Sequence, residues 1–246
     1  MRGEIDKSLV SWRFRVRQLA VSFVDFVFPP VCASCGRAGT LLCETCVSAV
    51  SWMEEPICLR CGRTTSKTVA VCSVCRQYPL PLEKIRAAVL FVDPIPPVIH
   101  KLKYKGQFGL ARPLADLMAQ AWRRWQLTAD LLVPVPLHPE RERTRGYNQS
   151  ALLVSHLAGA LGIPAEMKAL CRAKNTRPQV GLNAVERQEN MRGAFTAVSP
   201  DVQGKNILLV DDVCTTGATL ASAAEALLEA GANSVSAYCL ARAIQT

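Results

Sequence analysis

From about residue 82 onward, short apolar runs alternate along the chain with longer stretches of helical spacing. Four apolar runs have the length of buried strands: IRAAVLFVD (85–93), DLLVPVP (130–136), KNILLVDD (205–212) and SVSAYCLAR (234–242). Three intervening stretches have the pattern of helices: LARPLADLMAQAWRRW (110–125), NQSALLVSHLAGALG (148–162) and ATLASAAEALLEAGA (218–232). This alternation predicts an α/β fold, with a parallel sheet and helices on both of its faces.

The N-terminal stretch VSWRFRVRQLAVSFVDFVF predicts an amphipathic helix within residues 1–28 that packs on the body of the protein. Its apolar part is interrupted by Asp25 and is shorter than the roughly 20 residues needed to cross a bilayer. A membrane-surface role is the alternative, because Arg13 and Arg15 lie beside Trp12 and Phe14. No small-residue cleavage site follows, so we expect neither a signal peptide nor a transmembrane segment, and we expect a cytoplasmic protein.

Residues 29–80 contain eight of the 11 cysteines, arranged as four C-x-x-C pairs: Cys32/Cys35, Cys43/Cys46, Cys58/Cys61 and Cys72/Cys75. Two thiolates at this spacing can hold one metal ion, and two pairs complete a tetrahedral zinc site. The pattern predicts a double zinc ribbon with structural zinc, and it leaves open whether neighbouring pairs combine. Disulfides are the weaker alternative, because cytosolic thiols stay reduced.

The three other cysteines stand apart from these pairs. Cys239 lies in a predicted strand and is interpreted as a core residue, and Cys214 is interpreted as incidental to the loop that follows the third strand. No role is assigned to Cys171.

The stretch ILLVDDVCTTGATL (207–220) runs from a strand through two acids into a threonine- and glycine-containing turn before a helix. Backbone N–H groups and the dipole at a helix N-terminus favour a phosphate group. The turn predicts a phosphate-binding loop composed of Thr215, Thr216, Gly217, Ala218 and Thr219.

Two adjacent carboxylates precede this loop, at Asp211 and Asp212. They lie too near the loop for a second phosphate but suit neutral hydroxyl groups, so together they predict a ribose 5-phosphate site. A magnesium ion that bridges the sugar hydroxyls to a pyrophosphate would relieve the crowding of negative charge. As catalytic residues, the two carboxylates would also favour positive charge that develops at the anomeric carbon.

The same stretch resembles the phosphoribosyl pyrophosphate motif of type I phosphoribosyltransferases. Over residues 23–242 the chain resembles the ComF family, and the matching segments include FPPVCASCG, LLCETC, CLRCGR, HKLKYKG, VPVPLHPERERTRGYNQS and RPQVGLNAVERQENMRGAF. The resemblance implies a type I phosphoribosyltransferase-like domain at residues 81–246 behind the zinc ribbons. It also implies phosphoribosyl pyrophosphate as ligand and a role in DNA uptake and natural competence.

The resemblance assigns further loops by position. The pyrophosphate loop after the second strand would include Leu137, His138, Arg143 and Arg145, although a single histidine beside prolines is also a common structural residue. A flexible loop that closes over the substrate would include Arg172, Gln179, Arg187 and Asn190. A basic and aromatic patch, Lys101, Lys103, Tyr104 and Lys105, could contact phosphate or single-stranded nucleic acid.

The net charge of +9 is concentrated in the middle of the chain, where residues 81–205 carry 18 basic and 10 acidic side chains. This suits a phosphate-rich ligand or nucleic acid. Three functions therefore remain open: a phosphoribosyltransferase with an unknown acceptor, a competence factor that binds single-stranded DNA or a helicase, and a regulator that senses phosphoribosyl pyrophosphate without turnover.

Overall fold

The computed structural model describes residues 29–174 and 193–244. The predicted helix within residues 1–28 and the predicted loop residues Gln179, Arg187 and Asn190 lie outside these ranges. In the described part of the chain, no helix has both the length and the apolar composition that crossing a bilayer requires.

Six strands occur in the described residues: β1 (Ile85–Leu90), β2 (Leu131–Pro134), β3 (Leu170–Arg172), β4 (Phe195–Ala197), β5 (Asn206–Cys214) and β6 (Ser234–Arg242). Four of them form one parallel sheet in the order β1-β6-β5-β2, and β3 and β4 form a separate antiparallel pair. The four predicted strands are thus the four strands of the sheet. Because all four are parallel, the loops after β5 and β2 emerge side by side at one edge.

The α-helices of the described residues are α1 (Glu44–Ser48), α2 (Ser73–Gln77), α3 (Ile95–Tyr104), α4 (Ala111–Trp122), α5 (Pro139–Arg145), α6 (Gln149–Leu161) and α7 (Ala218–Glu229). Successive side chains of a strand point to opposite faces of its sheet. Leu208 and Val210 of β5 accordingly belong to the apolar cluster of α4 and α6, whereas Ile207 and Leu209 belong to that of α7. Helices therefore cover both faces, as predicted.

The cysteine-rich segment pairs with β1, the strand at one edge of the sheet. The N–H of Leu90 donates to the carbonyl of Ser51 at 2.8 Å, and the N–H of Met53 donates to that of Ala88 at 3.0 Å. Further along, the N–H of Ile85 donates to the carbonyl of Arg60 at 2.8 Å. An uncovered edge strand is prone to pair with other chains, so this segment protects the sheet as well as carrying the cysteines.

Candidate functional site

The eight paired cysteines form two separate clusters, one from Cys32, Cys35, Cys43 and Cys46 and one from Cys58, Cys61, Cys72 and Cys75. In each cluster, the four sulfur atoms all lie within 4.8 Å of one another. In the structure, neighbouring C-x-x-C pairs therefore combine into one cluster each, which the sequence left open.

The geometry of both clusters fits zinc. Sulfur atoms bound tetrahedrally at about 2.3 Å from zinc are about 3.8 Å apart. The observed sulfur–sulfur distances are 3.7 Å for Cys32–Cys46 and 3.8 Å for Cys61–Cys72. Zinc bound by four thiolates has no open coordination position, so these are structural centres.

Backbone N–H groups in the C-x-x-C turns stabilise the thiolate form of Cys32 in the first cluster and of Cys58 in the second. The N–H of Cys43 donates to the sulfur of Cys32 at 3.5 Å, and the N–H of Cys72 donates to that of Cys58 at 3.3 Å. Burial opposes ionisation, but the backbone hydrogen bonds outweigh it and lower the pKa of Cys32 to about 6 and that of Cys58 to about 7.

The paired acids lie within β5, which extends through Cys214, two residues beyond the predicted strand 205–212. One carboxylate oxygen of Asp211 accepts hydrogen bonds from the Ser150 hydroxyl and from the Asp212 N–H, both at 2.9 Å. Burial, together with the neighbouring charge of Asp212, raises the pKa of Asp211 to about 7. This carboxyl group is therefore partly protonated at neutral pH in the ligand-free protein.

Asp212 is 3 % exposed and forms an ion pair with Lys103 at the end of α3, with 2.5 Å between the lysine Nζ and a carboxylate oxygen. Burial would lower the pKa of Lys103, but the Asp212 carboxylate outweighs it and raises that pKa. The crowding of two negative charges that the sequence presents is thus relieved by a lysine from the basic patch.

The phosphate-loop residues lie between β5 and the first turn of α7. Gly217 has a φ of 89°, and a Cβ there would lie 3.2 Å from the side chain of Ile85, so the position favours glycine for both conformation and space. The Thr216 hydroxyl accepts from the N–H of Ala218 at 3.4 Å, at the start of α7. The loop therefore presents a helix N-terminus beside the two acids.

The segment predicted as a pyrophosphate loop is in large part the short helix α5. His138 is its N-cap, because its Nδ1 accepts from the N–H of Glu140 at 3.3 Å, which favours the structural interpretation of this histidine. Leu137 is partly buried beside it, and Arg143 is exposed on α5. The Arg145 guanidinium lies 5.1 Å from the ring centre of Tyr104, and it donates to Gln149 at the start of α6.

One predicted flexible-loop residue lies elsewhere. Arg172 is the last residue of β3 and is only 7 % exposed, with its guanidinium 5.5 Å from the ring centre of Phe195 on the paired strand β4. The structure therefore places Arg172 in a buried strand just before the predicted loop, and its contact with a substrate stays a prediction.

A basic groove of about 730 Å³ opens beside the acids. It is lined by residues at the end of α3 and on α5: Lys103, Tyr104, Gly106, Glu140, Arg141, Thr144 and Arg145. Lys103 thus contacts both the acid pair and this groove, which brings the predicted basic patch next to the predicted sugar site.

Sequence reasoning did not identify Ser150, which is fully buried and donates to Asp211. The available signal is Asn148, a residue type that favours the N-cap, at the start of the predicted helix 148–162. It caps α6 by accepting from the Ser150 N–H at 3.0 Å. The Asn148 amide also donates to the carbonyl of Val135 at 3.0 Å, which fixes the start of α6 against the end of β2. The start of α6 therefore lies at the carboxyl ends of the strands, close to the acids. A side chain in the first turn of such a helix is expected to contact them.

Two family models match the chain, a double zinc ribbon domain at residues 23–77 and a phosphoribosyl transferase domain at residues 148–246. The DNA utilization protein YhgH of Escherichia coli K12 is 35% identical over 178 residues, covering 70% of this chain and 78% of that protein. Competence protein F of Haemophilus influenzae is 37% identical over 160 residues, covering 62% and 70%. Competence protein ComFC of Bacillus subtilis is 33% identical over 181 residues, covering 70% and 72%.

Among solved structures, the chain is similar to the glutamine phosphoribosylpyrophosphate amidotransferase of Bacillus subtilis, with 25% identity and a TM-score of 0.36 over 52% of this chain and 25% of that one. It is also similar to the hypoxanthine phosphoribosyl transferase of Trypanosoma cruzi, with 17% identity and a TM-score of 0.32 over 56% and 65%. The two family models place the double zinc ribbon before the phosphoribosyl transferase domain along the chain. The chain belongs to the ComF family, in which a double zinc ribbon precedes a phosphoribosyl transferase domain.

Proposed function

We propose that this protein binds phosphoribosyl pyrophosphate together with Mg²⁺ at the carboxyl edge of β5 and transfers its ribose 5-phosphate to an acceptor. The observation that carries the proposal is the contiguity of the acid pair, the Thr215–Thr219 loop and the N-terminus of α7. The loop suits the 5-phosphate, and the carboxylates of Asp211 and Asp212 suit the sugar hydroxyls. The cysteine clusters and their thiolates suit a reducing compartment, so we place the protein in the cytoplasm.

The ion pair of Lys103 with Asp212 suggests how the ligand enters. A pyrophosphate group beside the acids offers Lys103 a stronger anionic partner, and Asp212 then becomes available to accept from a sugar hydroxyl. Arg141 and Arg145 line the groove that Lys103 would face, so the pyrophosphate would meet positive charge on that side. When bound, Mg²⁺ would neutralise phosphate oxygens and assist departure of the pyrophosphate.

The test is titration of the full chain with phosphoribosyl pyrophosphate and Mg²⁺ in a calorimeter, followed by a pyrophosphate-release assay with nucleobases and amines as acceptors. We expect saturable binding that is weaker for ribose 5-phosphate, because the latter lacks the group that Lys103 would hold. Binding without release for any acceptor would support a sensor rather than an enzyme. Absence of binding would remove both interpretations.

A second function, binding of single-stranded DNA, is favoured by the basic groove and by the names of the relatives, which refer to DNA utilization and competence. Tyr104, which lines the groove, and Phe108, four residues further along the chain, are 64% and 65% exposed and could stack on bases. We expect the affinity for an oligonucleotide to fall linearly with salt on logarithmic axes, and Arg141→Ala to reduce the slope by about 0.7. Salt-insensitive or absent binding in a filter or anisotropy assay would remove this function.

A further inference from the structure

The second cysteine cluster faces the predicted phosphate loop across a narrow cleft. A narrow cleft of about 50 Å³ separates them, with Cys61 and Cys75 on one wall and Thr216 and Ala218 on the other. Gly217 is close to the ribbon side as well, because a Cβ at this position would lie 3.7 Å from the side chain of Leu80. The second cluster is therefore a neighbour of the loop and not only an attachment to β1.

Arg242 lies between the second cluster and the residue that precedes the phosphate loop. It is the last residue of β6, is 2% exposed and lines the cleft. Its guanidinium donates to the sulfur of Cys214 at 2.7 Å, and Cys214 is the residue immediately before Thr215. Two other nitrogen atoms of the guanidinium, Nε and one Nη, are buried without a hydrogen-bond partner among the described residues.

The chemistry of a zinc centre explains why a charged group is buried here. Zinc bound by four thiolates carries a net negative charge, and burying that charge is costly unless a cation compensates it. The charge of Arg242 interacts with the sulfurs of Cys61 and Cys75 as well as with Cys214. The arginine thus donates to the Cys214 sulfur on one side and faces the negative charge of a metal-loaded cluster on the other.

The first cluster has different surroundings. Cys32, Cys43 and Cys46 share the apolar core that contains Leu110 and Leu114, on the sheet face covered by α4 and α6. The phosphate loop leads into α7, whose residues, including Ala218, belong to the core on the opposite face. The two centres are alike in ligands but differ in their proximity to the loop.

We propose that Arg242 is a positioning residue that couples the second cysteine cluster to the phosphate loop. Metal held by the second cluster fixes the guanidinium, the guanidinium fixes Cys214, and Cys214 fixes the start of Thr215–Thr219. The first cluster supports the fold without this coupling. The ligand part of the inference rests on the proposed function, because phosphoribosyl pyrophosphate is its probe.

The decisive experiment compares Cys75→Ser with Cys46→Ser in the full chain. Both cysteines are the fourth ligand of their cluster, both lie in a short helix, and both are similarly buried, at 5% and 7% exposure. Each variant is assayed for zinc content, for the Kd of phosphoribosyl pyrophosphate with Mg²⁺, and for hydrogen exchange of the amides from Cys214 to Leu220. Cys75→Ser should weaken binding roughly tenfold and accelerate exchange in this segment, in the range of measured couplings between sites. Cys46→Ser also loses its zinc and should lower the Tm, but the protein that remains folded should keep both quantities within about twofold of the wild type, because the first cluster is remote from the loop.

A second pair of variants isolates the arginine from the metal. Arg242→Met should retain zinc but weaken binding roughly tenfold, Arg242→Lys should recover part of the loss, and Arg76→Met, on the exposed face of α2, is the control. Equal effects of Cys75→Ser and Cys46→Ser, or wild-type affinity and exchange in Arg242→Met, would overturn the inference. If the wild type does not bind the probe, the proposed function fails, and the exchange difference between the two cysteine variants still decides the coupling. If Arg242→Met does not fold, the cysteine pair and Arg242→Lys decide it.

Discussion

Replacement of both Asp211 and Asp212 by asparagine is expected to abolish measurable binding of phosphoribosyl pyrophosphate with Mg²⁺. Each substitution would remove a charge-assisted hydrogen bond between a carboxylate and a sugar hydroxyl. Two such bonds contribute about 3 to 6 kcal/mol to the binding free energy, so the affinity should fall by about 100-fold or more. The substitutions preserve side-chain shape, and after Asp211→Asn the amide oxygen of the new side chain can still accept from the Ser150 hydroxyl. Calorimetry, and the ligand-induced increase in Tm, provide the measurement.

The matched control for this double variant is Asp130→Asn. Asp130 is a carboxylate at the opposite end of the sheet, where it accepts from the N–H of Asn206 at 2.9 Å. It should alter stability slightly and leave the ligand-induced shift unchanged. A double variant that keeps the wild-type shift would remove the acids from the binding site and with them the proposed function.

The same acid pair gives the binding a pH dependence with a defined sign. Burial raises the pKa of Asp211 to about 7, above the value of about 3.9 for an unfolded chain. The folded protein therefore retains a proton that the unfolded chain has released, and this contribution to stability falls as the pH rises from about 4 to about 7. In the proposed site, ligand binding would require the ionised form of Asp211. The affinity should therefore increase from about pH 6 to about pH 8 in the wild type, and Asp211→Asn should lose this trend.

The sheet and its covering helices could be predicted from the sequence because their signals are long. Each sheet strand is an apolar run, and α4, α6 and α7 have 12 or 13 residues with apolar positions on a buried face. Shorter elements lack such a signal. Helix α5 has seven residues and none is buried, so PERERTR resembled a basic loop. The β3–β4 pair has three residues in each strand, too few for a clear alternation.

The acid pair and the predicted phosphate loop could also be identified from the sequence. The acids and the phosphate loop are contiguous in the sequence, so a single stretch contains their chemistry. Their supporting groups are not contiguous with them. Lys103 is more than one hundred residues from Asp212 and Ser150 is 61 residues from Asp211, and only the strand order brings them together.

Cysteines without a motif were the hardest to interpret. Cys239 is fully buried in β6, as predicted. Cys214 was interpreted as incidental to a loop, but it ends β5, is buried and accepts from the Arg242 guanidinium. That contact follows from the register of β5 against β6, in which Cys214 pairs with Arg242. Register between distant strands is not encoded in any short stretch of sequence.

Removal of zinc from both cysteine clusters is expected to unfold the cysteine-rich segment and to make the protein aggregate. Structural zinc contributes about 10 to 16 kcal/mol to the folding of small zinc domains, and the second cluster packs mainly against a few partly buried side chains such as Val69, Val74 and Leu80. When a strong chelator removes zinc, the loss of structure should be proportional to the amount of zinc released. Circular dichroism, zinc content and light scattering, followed together, provide the measurement.

The aggregation follows from the way in which this segment covers β1. Loss of the hydrogen bonds made by the Ser51 and Arg60 carbonyl groups and by the Met53 N–H would expose an edge strand whose residues are nearly all buried. Trp52 reports on the event, because it forms a bridge with Val89 and lies under the Arg124 guanidinium at 5.2 Å, so its fluorescence should change as zinc leaves. Trp52→Phe identifies that signal among the other tryptophans. An edge strand can stay covered in the zinc-free protein only if the covering segment remains in place. Unchanged Trp52 fluorescence and a monodisperse protein after complete zinc release would therefore mean that the ribbons fold without metal.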